Sequence, residues 1–276
     1  MIHLREMNQK AGYRTASGYP LSNELIAGLQ SLRFTASVTI LCGENGSGKT
    51  TLMQLLAAGV RASLIGEAGV HAQRARTFQQ AAKSFQFVMN ARPQRSFFFT
   101  AEDFSRYLDE RARMMQEARE SLQEIEEGYQ GRSALAKSLA SQAHAGTLSQ
   151  MAGQYERELL QSSHGEGFLS FFGGRLISPG LYLMDEPEGA LSYANQLSLL
   201  ALIDQAVAAG GQVIMATHSP VLAAYPKAAL LEVAQGGLSE ISYERIEGVQ
   251  FLKHFLQHRE HILRQAGIEG EKSSDE

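Results

Sequence analysis

A glycine-rich stretch, residues 43–50, reads Gly-Glu-Asn-Gly-Ser-Gly-Lys-Thr and has the G-x-x-x-x-G-K-[ST] spacing of a phosphate-binding loop. The apolar run at residues 38–42 precedes it, and the helix-forming run at residues 51–58 follows it. Glycines allow backbone N–H groups to surround an anion without interference from Cβ atoms, and a helix N-terminus adds partial positive charge. A strand, a loop and a helix in this order therefore predict a triphosphate site rather than a glycine-rich turn that happens to end in Lys-Thr.

The two last residues of the loop have the side chains that nucleotide chemistry needs. Lys49 has the length and charge to reach the β- and γ-phosphates, and the Thr50 hydroxyl is suited to ligate Mg²⁺. The expected cofactors are therefore ATP and Mg²⁺. The residues expected to contact the nucleotide are Gly43, Asn45, Gly46, Ser47, Gly48, Lys49, Thr50 and Thr51.

Two carboxylates follow a second apolar run, at residues 181–184. In an open α/β sheet, ligands bind at the carboxyl ends of the strands. Asp185 is suited to hold Mg²⁺ opposite Thr50, and Glu186 is suited to act as the general base that polarises an attacking water. The alternative is a strand that simply ends in a polar turn, but the presence of the phosphate loop favours the functional interpretation.

A third apolar run, residues 212–217, ends in Thr217-His218-Ser219-Pro220. A histidine at the end of a parallel strand beside the carboxylate strand could contact the γ-phosphate. We therefore predict a catalytic role for His218 together with Glu186, against the alternative of a purely structural histidine.

Residues 163–167, Ser-His-Gly-Glu-Gly, precede an apolar run at 168–172. A serine hydroxyl and a glycine backbone at a helix start form an anion site. Because the chain already has one phosphate loop, a second site is useful if it covers the nucleotide of another protomer. Ser163 and Gly165 are the candidate contacts, and a simple helix cap is the alternative.

The bulk composition restricts the class of protein. The chain has 276 residues, is 44% hydrophobic and carries a formal net charge of −4, so no overall basic field indicates nucleic acid. The single cysteine, Cys42, excludes an internal disulfide and fits a reducing compartment. No apolar run approaches the ~20 residues of a membrane helix. We expect a cytoplasmic protein without direct membrane insertion.

The hydrophobic pattern predicts an α/β nucleotide-binding core interrupted by helices. Helical spacing begins near residue 103, so residues 103–162 are predicted to form an inserted helical lobe, with 1–102 and 163–276 as the core. A partner-binding or coiled-coil arm is the alternative for this insert. Residues 66–76 are expected to be irregular, residues 129–146 flexible and the polar tail at 267–276 disordered.

The order of these motifs resembles that of the ABC-class P-loop ATPases, and more narrowly that of small soluble bacterial ATPases of an SMC-like group. This resemblance implies a mixed sheet of the ABC-ATPase type with an inserted helical subdomain. It also implies an ATP-dependent head-to-tail homodimer with two ATP molecules between the protomers. Ser163 and Gly165 of one protomer would then face the γ-phosphate bound by the other.

The sequence departs from the family pattern at several positions. His164 replaces the usual glycine, Glu166 replaces the usual glutamine as in the SMC-like branch, and Ser192 lies where transporters usually have aspartate. No glutamine-loop residue is evident, and Glu102 is its suggested substitute near the metal. The candidates for stacking on adenine are Tyr13, Tyr19 and Phe34.

Three functions agree with these motifs. The first is a nucleic-acid or defence-related ATPase, favoured by Glu166, whose partners would be nucleic acid or an effector protein. The second is the nucleotide-binding subunit of a membrane transporter, which the departures at His164 and Ser192 disfavour. The third is a nucleotide switch that regulates a partner protein.

Overall fold

The computed structural model describes residues 1–11, 18–64, 72–131, 133–151, 164–174, 176, 179–234 and 237–268. The strands are β1 (Leu4–Gln9), β2 (Ser31–Arg33), β3 (Val38–Cys42), β4 (Ser63–Leu64), β5 (Phe85–Met89), β6 (Arg95–Thr100), β7 (Gly180–Asp185), β8 (Gln212–Ala216), β9 (Ala228–Ala234) and β10 (Gly237–Glu240). The α-helices are α1 (Glu24–Gly28), α2 (Lys49–Val60), α3 (Ala72–Ala82), α4 (Ala101–Gly128), α5 (Ala134–Met151), α6 (His164–Gly173), α7 (Tyr193–Ala208), α8 (Pro220–Ala223) and α9 (Glu247–Gln265). Short 3₁₀ turns cover Pro187–Ala190 and Tyr243–Arg245.

The strands form two sheets. The large one has seven strands in the order β10-β9-β3-β8-β7-β6-β4, in which β10 is antiparallel to β9 and the other neighbours are parallel. The small one, β2-β1-β5, is antiparallel. This arrangement confirms the predicted α/β fold with a mixed sheet around the loop after β3.

The central strands are mostly apolar because both faces of the large sheet are covered. Every residue of β3, β7 and β8 is buried. Alternate side chains point to opposite faces, so Leu41 and Leu183 pack in a core with residues of α2, whereas Ile40 and Met184 pack in a second core with residues of α6 and α7. Such strands appear in the sequence as continuous hydrophobic runs.

Gln212 joins the two sheets at the first position of β8. Its side chain is fully buried, its Oε1 accepts hydrogen bonds from the backbone N–H groups of His3 and Leu4 at 2.8 Å each, and its Nε2 donates to the Leu4 carbonyl at 2.9 Å. The amide thereby satisfies backbone groups at and just before the start of β1 that would otherwise be buried without partners. The position of the small sheet is fixed against the strand that leads to His218.

The parallel register brings the carboxyl ends of four strands to one edge. Asp185, at the end of β7, is paired with Thr100 of β6 on one side and with Ala216 of β8 on the other, and Ala216 is paired with Leu41 of β3. The segments that follow β3, β6, β7 and β8 therefore meet at the same edge, where ligands bind in sheets of this type.

Helices α4 and α5 are neighbours within the range predicted as an insert, and an ion pair of 2.8 Å joins Glu126 and Lys137. The expectation of a flexible stretch at 129–146 is wrong from Ala134 onward, because alanine and leucine there favour helix at little entropic cost. Likewise α3 begins at Ala72, within the stretch expected to be irregular. The part of the expected tail beyond residue 268 lies outside the described residues. Among the described helices, none has both the length and the apolar character that crossing a membrane requires.

Candidate functional site

The loop after β3 has a backbone conformation that depends on glycine. Gly43, Gly46 and Gly48 all have positive φ, at 136°, 81° and 102°. A Cβ atom on Gly43 would lie 2.5 Å from the carbonyl oxygen of Val233 in β9, so a larger residue would displace that strand or the loop. The predicted phosphate loop thus has the conformation that glycine permits, and α2 starts immediately after it at Lys49.

Lys49 is buried inside the loop, with 4% of its surface exposed. Its Nζ donates hydrogen bonds to the carbonyl oxygens of Gly43 at 2.8 Å and Glu44 at 2.7 Å. Burial lowers the pKa of the Lys49 ammonium, while the nearby carboxylates of Glu186 and Asp185 act in the opposite direction. A cation held in this position is suited to meet phosphate oxygens that enter the loop.

Asp185 and Thr50 form the candidate metal site. Asp185 is 5% exposed, and burial raises the pKa of its carboxyl to about 6, although a hydrogen bond with Thr50 acts in the opposite direction. Its Oδ1 is buried and has no hydrogen-bond partner among the described residues. A hydroxyl and a buried carboxylate with a free oxygen are suitable ligands for a hard divalent cation, so these residues fit Mg²⁺.

Glu186 and His218 meet at the same edge of the sheet although 32 positions separate them in the chain. The distance between Glu186 Oε1 and His218 Nε2 is 3.5 Å, and the side chains are 50% and 35% exposed. Glu186 has a left-handed backbone conformation, with φ of 48°, and its N–H donates to the Ala216 carbonyl at 2.9 Å. Left-handed geometry costs about 1–2 kcal/mol for a non-glycine residue, and here it turns an accessible carboxylate toward the histidine.

Sequence reasoning assigned no role to Glu188, which the structure places beside this pair. Its Oε1 accepts hydrogen bonds from the backbone N–H groups of His218 and Ser219, at 2.6 and 3.1 Å. The only signal in the sequence is a third acidic residue in the Asp185-Glu186-Pro187-Glu188 run, and by itself it does not identify the partner.

A groove of about 750 Å³ extends from the phosphate loop along the ends of β8 and β9. One wall is formed by Gly43–Ser47, another by Thr217–Pro220, and a third by four residues at the start of α9: Glu247, Gly248, Val249 and Phe251. No pattern in the sequence indicated that the terminal helix reaches the site.

The remaining predicted residues have different outcomes. Ser163 and Tyr13 lie outside the described residues, whereas Gly165 is in the first turn of α6. Glu102 is the second residue of α4, directly after the end of β6, and its exposed carboxylate pairs with Arg106 at 2.7 Å. A role of Glu102 near a metal stays a prediction.

The aromatic candidates for adenine stacking differ in burial. Phe34 is 2% exposed and belongs to the hydrophobic core, so it offers no free face to a ligand. Tyr19 is 52% exposed, and its hydroxyl lies 3.3 Å from the Thr51 hydroxyl in the first turn of α2. Tyr19 is therefore the described candidate that lies beside the phosphate loop.

The loop, the strand order and the two acidic residues define a P-loop nucleotide-binding fold. A family model described as an AAA domain matches residues 25–162, half of the 276-residue chain, and the chain belongs to this family. The predicted class, an ABC-class P-loop ATPase that resembles SMC-like proteins, is thereby confirmed.

Among solved structures, one similar chain is MJ1267, an ATP-binding cassette of an ABC transporter in its ADP conformation. It is 15% identical, with 93% of this chain and 98% of that chain covered and a TM-score of 0.45. Another is the Smc head domain with an extended coiled coil bound to the C-terminal domain of ScpA, from Pyrococcus furiosus. It is 12% identical, with 94% and 100% covered and a TM-score of 0.44. No curated protein matches the sequence.

Proposed function

We propose that the protein binds and hydrolyses ATP and that ATP closes two copies into a head-to-tail homodimer. The observation that supports this best is the convergence, at one edge of the sheet, of Lys49 and Thr50 with Asp185 and with the Glu186–His218 pair. The four parts serve phosphate binding, metal binding, water activation and contact with the transferred phosphate.

Each described side chain has a step in this scheme. The loop N–H groups and the Lys49 ammonium bind the β- and γ-phosphates. Mg²⁺, when bound by Thr50 and Asp185, would offset the phosphate charge. The Glu186 carboxylate, which is accessible to solvent, accepts the proton of the attacking water, and the His218 ring holds its position beside that carboxylate and the γ-phosphate.

The second half of each composite site is assigned to the partner protomer. Ser163 and Gly165 would contact the γ-phosphate across the interface, with Gly165 contributing through its place in the first turn of α6. Tyr19 is the proposed contact for the adenine because its exposed ring adjoins α2. A role of Glu102 as metal contact belongs to the same proposal.

Glu186→Gln tests the hydrolytic and the dimeric parts together. An amide does not accept a proton from water, so ATP hydrolysis should fall by about 10²–10⁴-fold while ATP binding is kept. The variant should then accumulate as a dimer in saturating Mg-ATP, as measured by light scattering after size-exclusion chromatography. The matched control is Glu240→Gln, which makes the same change at an exposed glutamate of β10, 54 positions after Glu186 in the chain. Undiminished hydrolysis would exclude Glu186 as the base, and a monomer in Mg-ATP would exclude the dimer.

For the process that the dimer drives, we propose an action on nucleic acid or on a defence effector, supported by Glu166 in the position of the usual glutamine. The ATP-trapped Glu186→Gln protein should then bind a DNA or RNA duplex only with ATP, and the affinity should fall steeply with salt because phosphate contacts release counterions. Capture of a membrane permease by the trapped dimer instead would support the transporter-subunit alternative. Capture of a soluble regulator with little turnover would support the nucleotide switch.

A further inference from the structure

The 3₁₀ turn after Glu186 is bonded directly to the loop that carries His218. Glu188, in that turn, accepts two backbone hydrogen bonds on one carboxylate oxygen, from His218 at 2.6 Å and from Ser219 at 3.1 Å. Hydrogen bonds from N–H groups to a carboxylate are shorter and stronger than those between neutral groups. The backbone of the histidine is thus held by a residue two positions after the candidate base.

A second set of hydrogen bonds fixes the far end of the same loop. Ser219 Oγ lies 2.5 Å from Gln196 Oε1, to which it donates, and it accepts from the N–H groups of Val221 and Leu222 at 3.1 and 3.2 Å. Gln196 in turn donates to the Leu191 carbonyl at 3.2 Å. Because Gln196 and Ser219 are 5% and 6% exposed, this connection is shielded from water. Because these bonds anchor the loop at Ser219, the position of His218 depends on the hydrogen bond from its N–H to Glu188.

The backbone of Glu186, the other member of the Glu186–His218 pair, is also held in place. The Glu186 N–H is bonded to the Ala216 carbonyl, at the end of the strand that leads into the histidine loop, and the Glu186 backbone is left-handed. The 3.5 Å separation of the Glu186 and His218 side chains therefore rests on two short backbone links, one through Ala216 and one through Glu188. Loss of the second link frees the His218 N–H and allows the ring to move away from Glu186.

We infer that Glu188 is a positioning residue for hydrolysis, which holds His218 beside Glu186 without itself contacting the substrate. This inference rests on the proposed function. This role requires an oxygen acceptor on a side chain that is long enough to reach the His218 N–H, as a glutamate is. A glutamine keeps that acceptor without the charge, whereas an aspartate keeps the charge but is one methylene shorter. The three variants Glu188→Gln, Glu188→Asp and Glu188→Ala therefore separate positioning from a purely electrostatic effect.

The first experiment measures amide hydrogen exchange by NMR in the nucleotide-free protein. The amide of His218 should exchange at least about tenfold faster in Glu188→Ala and Glu188→Asp than in the wild type, and near the wild-type rate in Glu188→Gln. The Ser219 amide should respond less, because it also donates to Thr217 Oγ1 at 3.0 Å. The Thr217 amide, which is bonded to the Leu41 carbonyl at 3.2 Å, is the internal control and should not change. Equal exchange at His218 in all variants would overturn the inference.

The second experiment measures steady-state ATP hydrolysis by the same variants. Glu188→Ala and Glu188→Asp should lose about 10–100-fold in kcat, because a small misplacement of reacting groups has effects of that size, with KM changed less than about threefold. Glu188→Gln should restore most of the rate, and Glu240→Ala serves as the exposed control. An active aspartate variant with an inactive glutamine variant would refute positioning in favour of charge. Absence of hydrolysis by the wild type would refute the proposed function instead, and the exchange rates would still decide whether Glu188 holds the loop.

Discussion

The ionisation of Asp185 should lower the stability of the nucleotide-free protein at neutral pH. Burial raises the pKa of this carboxyl to about 6 in the fold, against an ordinary value of 3.8. Well below pH 3.8 the group is protonated in both the folded and the unfolded state and contributes nothing. As the pH rises through the interval between the two values, the unfolded chain ionises more readily than the folded one, so stability is lost.

The size of the effect follows from the two pKa values. Their difference, at about 1.36 kcal/mol per pH unit, corresponds to about 3 kcal/mol of destabilisation that is complete above pH 6–7. Asp185→Asn keeps the shape of the side chain and an oxygen for the Thr50 hydroxyl but cannot ionise. The free energy of unfolding of the variant, relative to that of the wild type, should therefore increase by about 3 kcal/mol between pH 3 and pH 8.

Urea unfolding of both proteins at a series of pH values measures this difference, because the groups that do not interact with Asp185 titrate alike in the two chains. The matched control is Asp204→Asn. Hydrogen bonds from Tyr225 and Lys227 lower the pKa of Asp204, so its ionisation stabilises the fold at neutral pH and its removal should have the opposite sign. A pH-independent difference between Asp185→Asn and the wild type, or a variant that loses stability toward pH 8, would refute the reasoning.

Ligand addition extends the same test to the candidate metal site. Saturating Mg-ATP should stabilise the wild type more than Asp185→Asn, because a metal ligated by the carboxylate compensates for its burial. At pH 8, Mg-ATP should therefore reduce the excess in unfolding free energy that Asp185→Asn has over the wild type. Equal stabilisation of both proteins by Mg-ATP would indicate that Asp185 does not hold the cation.

Two further predictions concern the loop and the strand before it. Lys49→Ala should abolish ATP binding in calorimetry, because the ammonium that lies on the Gly43 and Glu44 carbonyls is the cation available to the phosphates, and tight binding by that variant would contradict the assignment. Burial raises the pKa of the Cys42 thiol to about 11, against an ordinary value of 9.0. At pH 8, iodoacetamide should therefore alkylate this thiol about 100-fold more slowly in the folded protein than in urea. Equal rates would show that the thiol is accessible.

The sequence predicted the elements of the fold where the hydrophobic pattern was unambiguous. The central strands β3, β7 and β8 were recognisable because burial on both faces requires continuous apolar runs. The stretch at 129–146 was misinterpreted because small residues are compatible with both a loop and a helix, and packing of α5 beside α4 selects the helix. The short strand β4 was missed because a strand of two residues has no periodicity.

The candidate site divides in the same way. The phosphate loop and the Asp185–Glu186 pair depend on neighbours in the chain, since glycine spacing and the end of a strand are local properties that the sequence specifies directly. The order of the strands depends on distant segments, and only the tertiary structure decided that β8 lies between β3 and β7. That order brings His218 within 3.5 Å of Glu186 and gives Glu188 two backbone N–H groups to hold. The tertiary structure likewise decided that α9 lies beside the phosphate loop. Contacts of this kind arise from packing between distant segments, and no local pattern of residues predicts them.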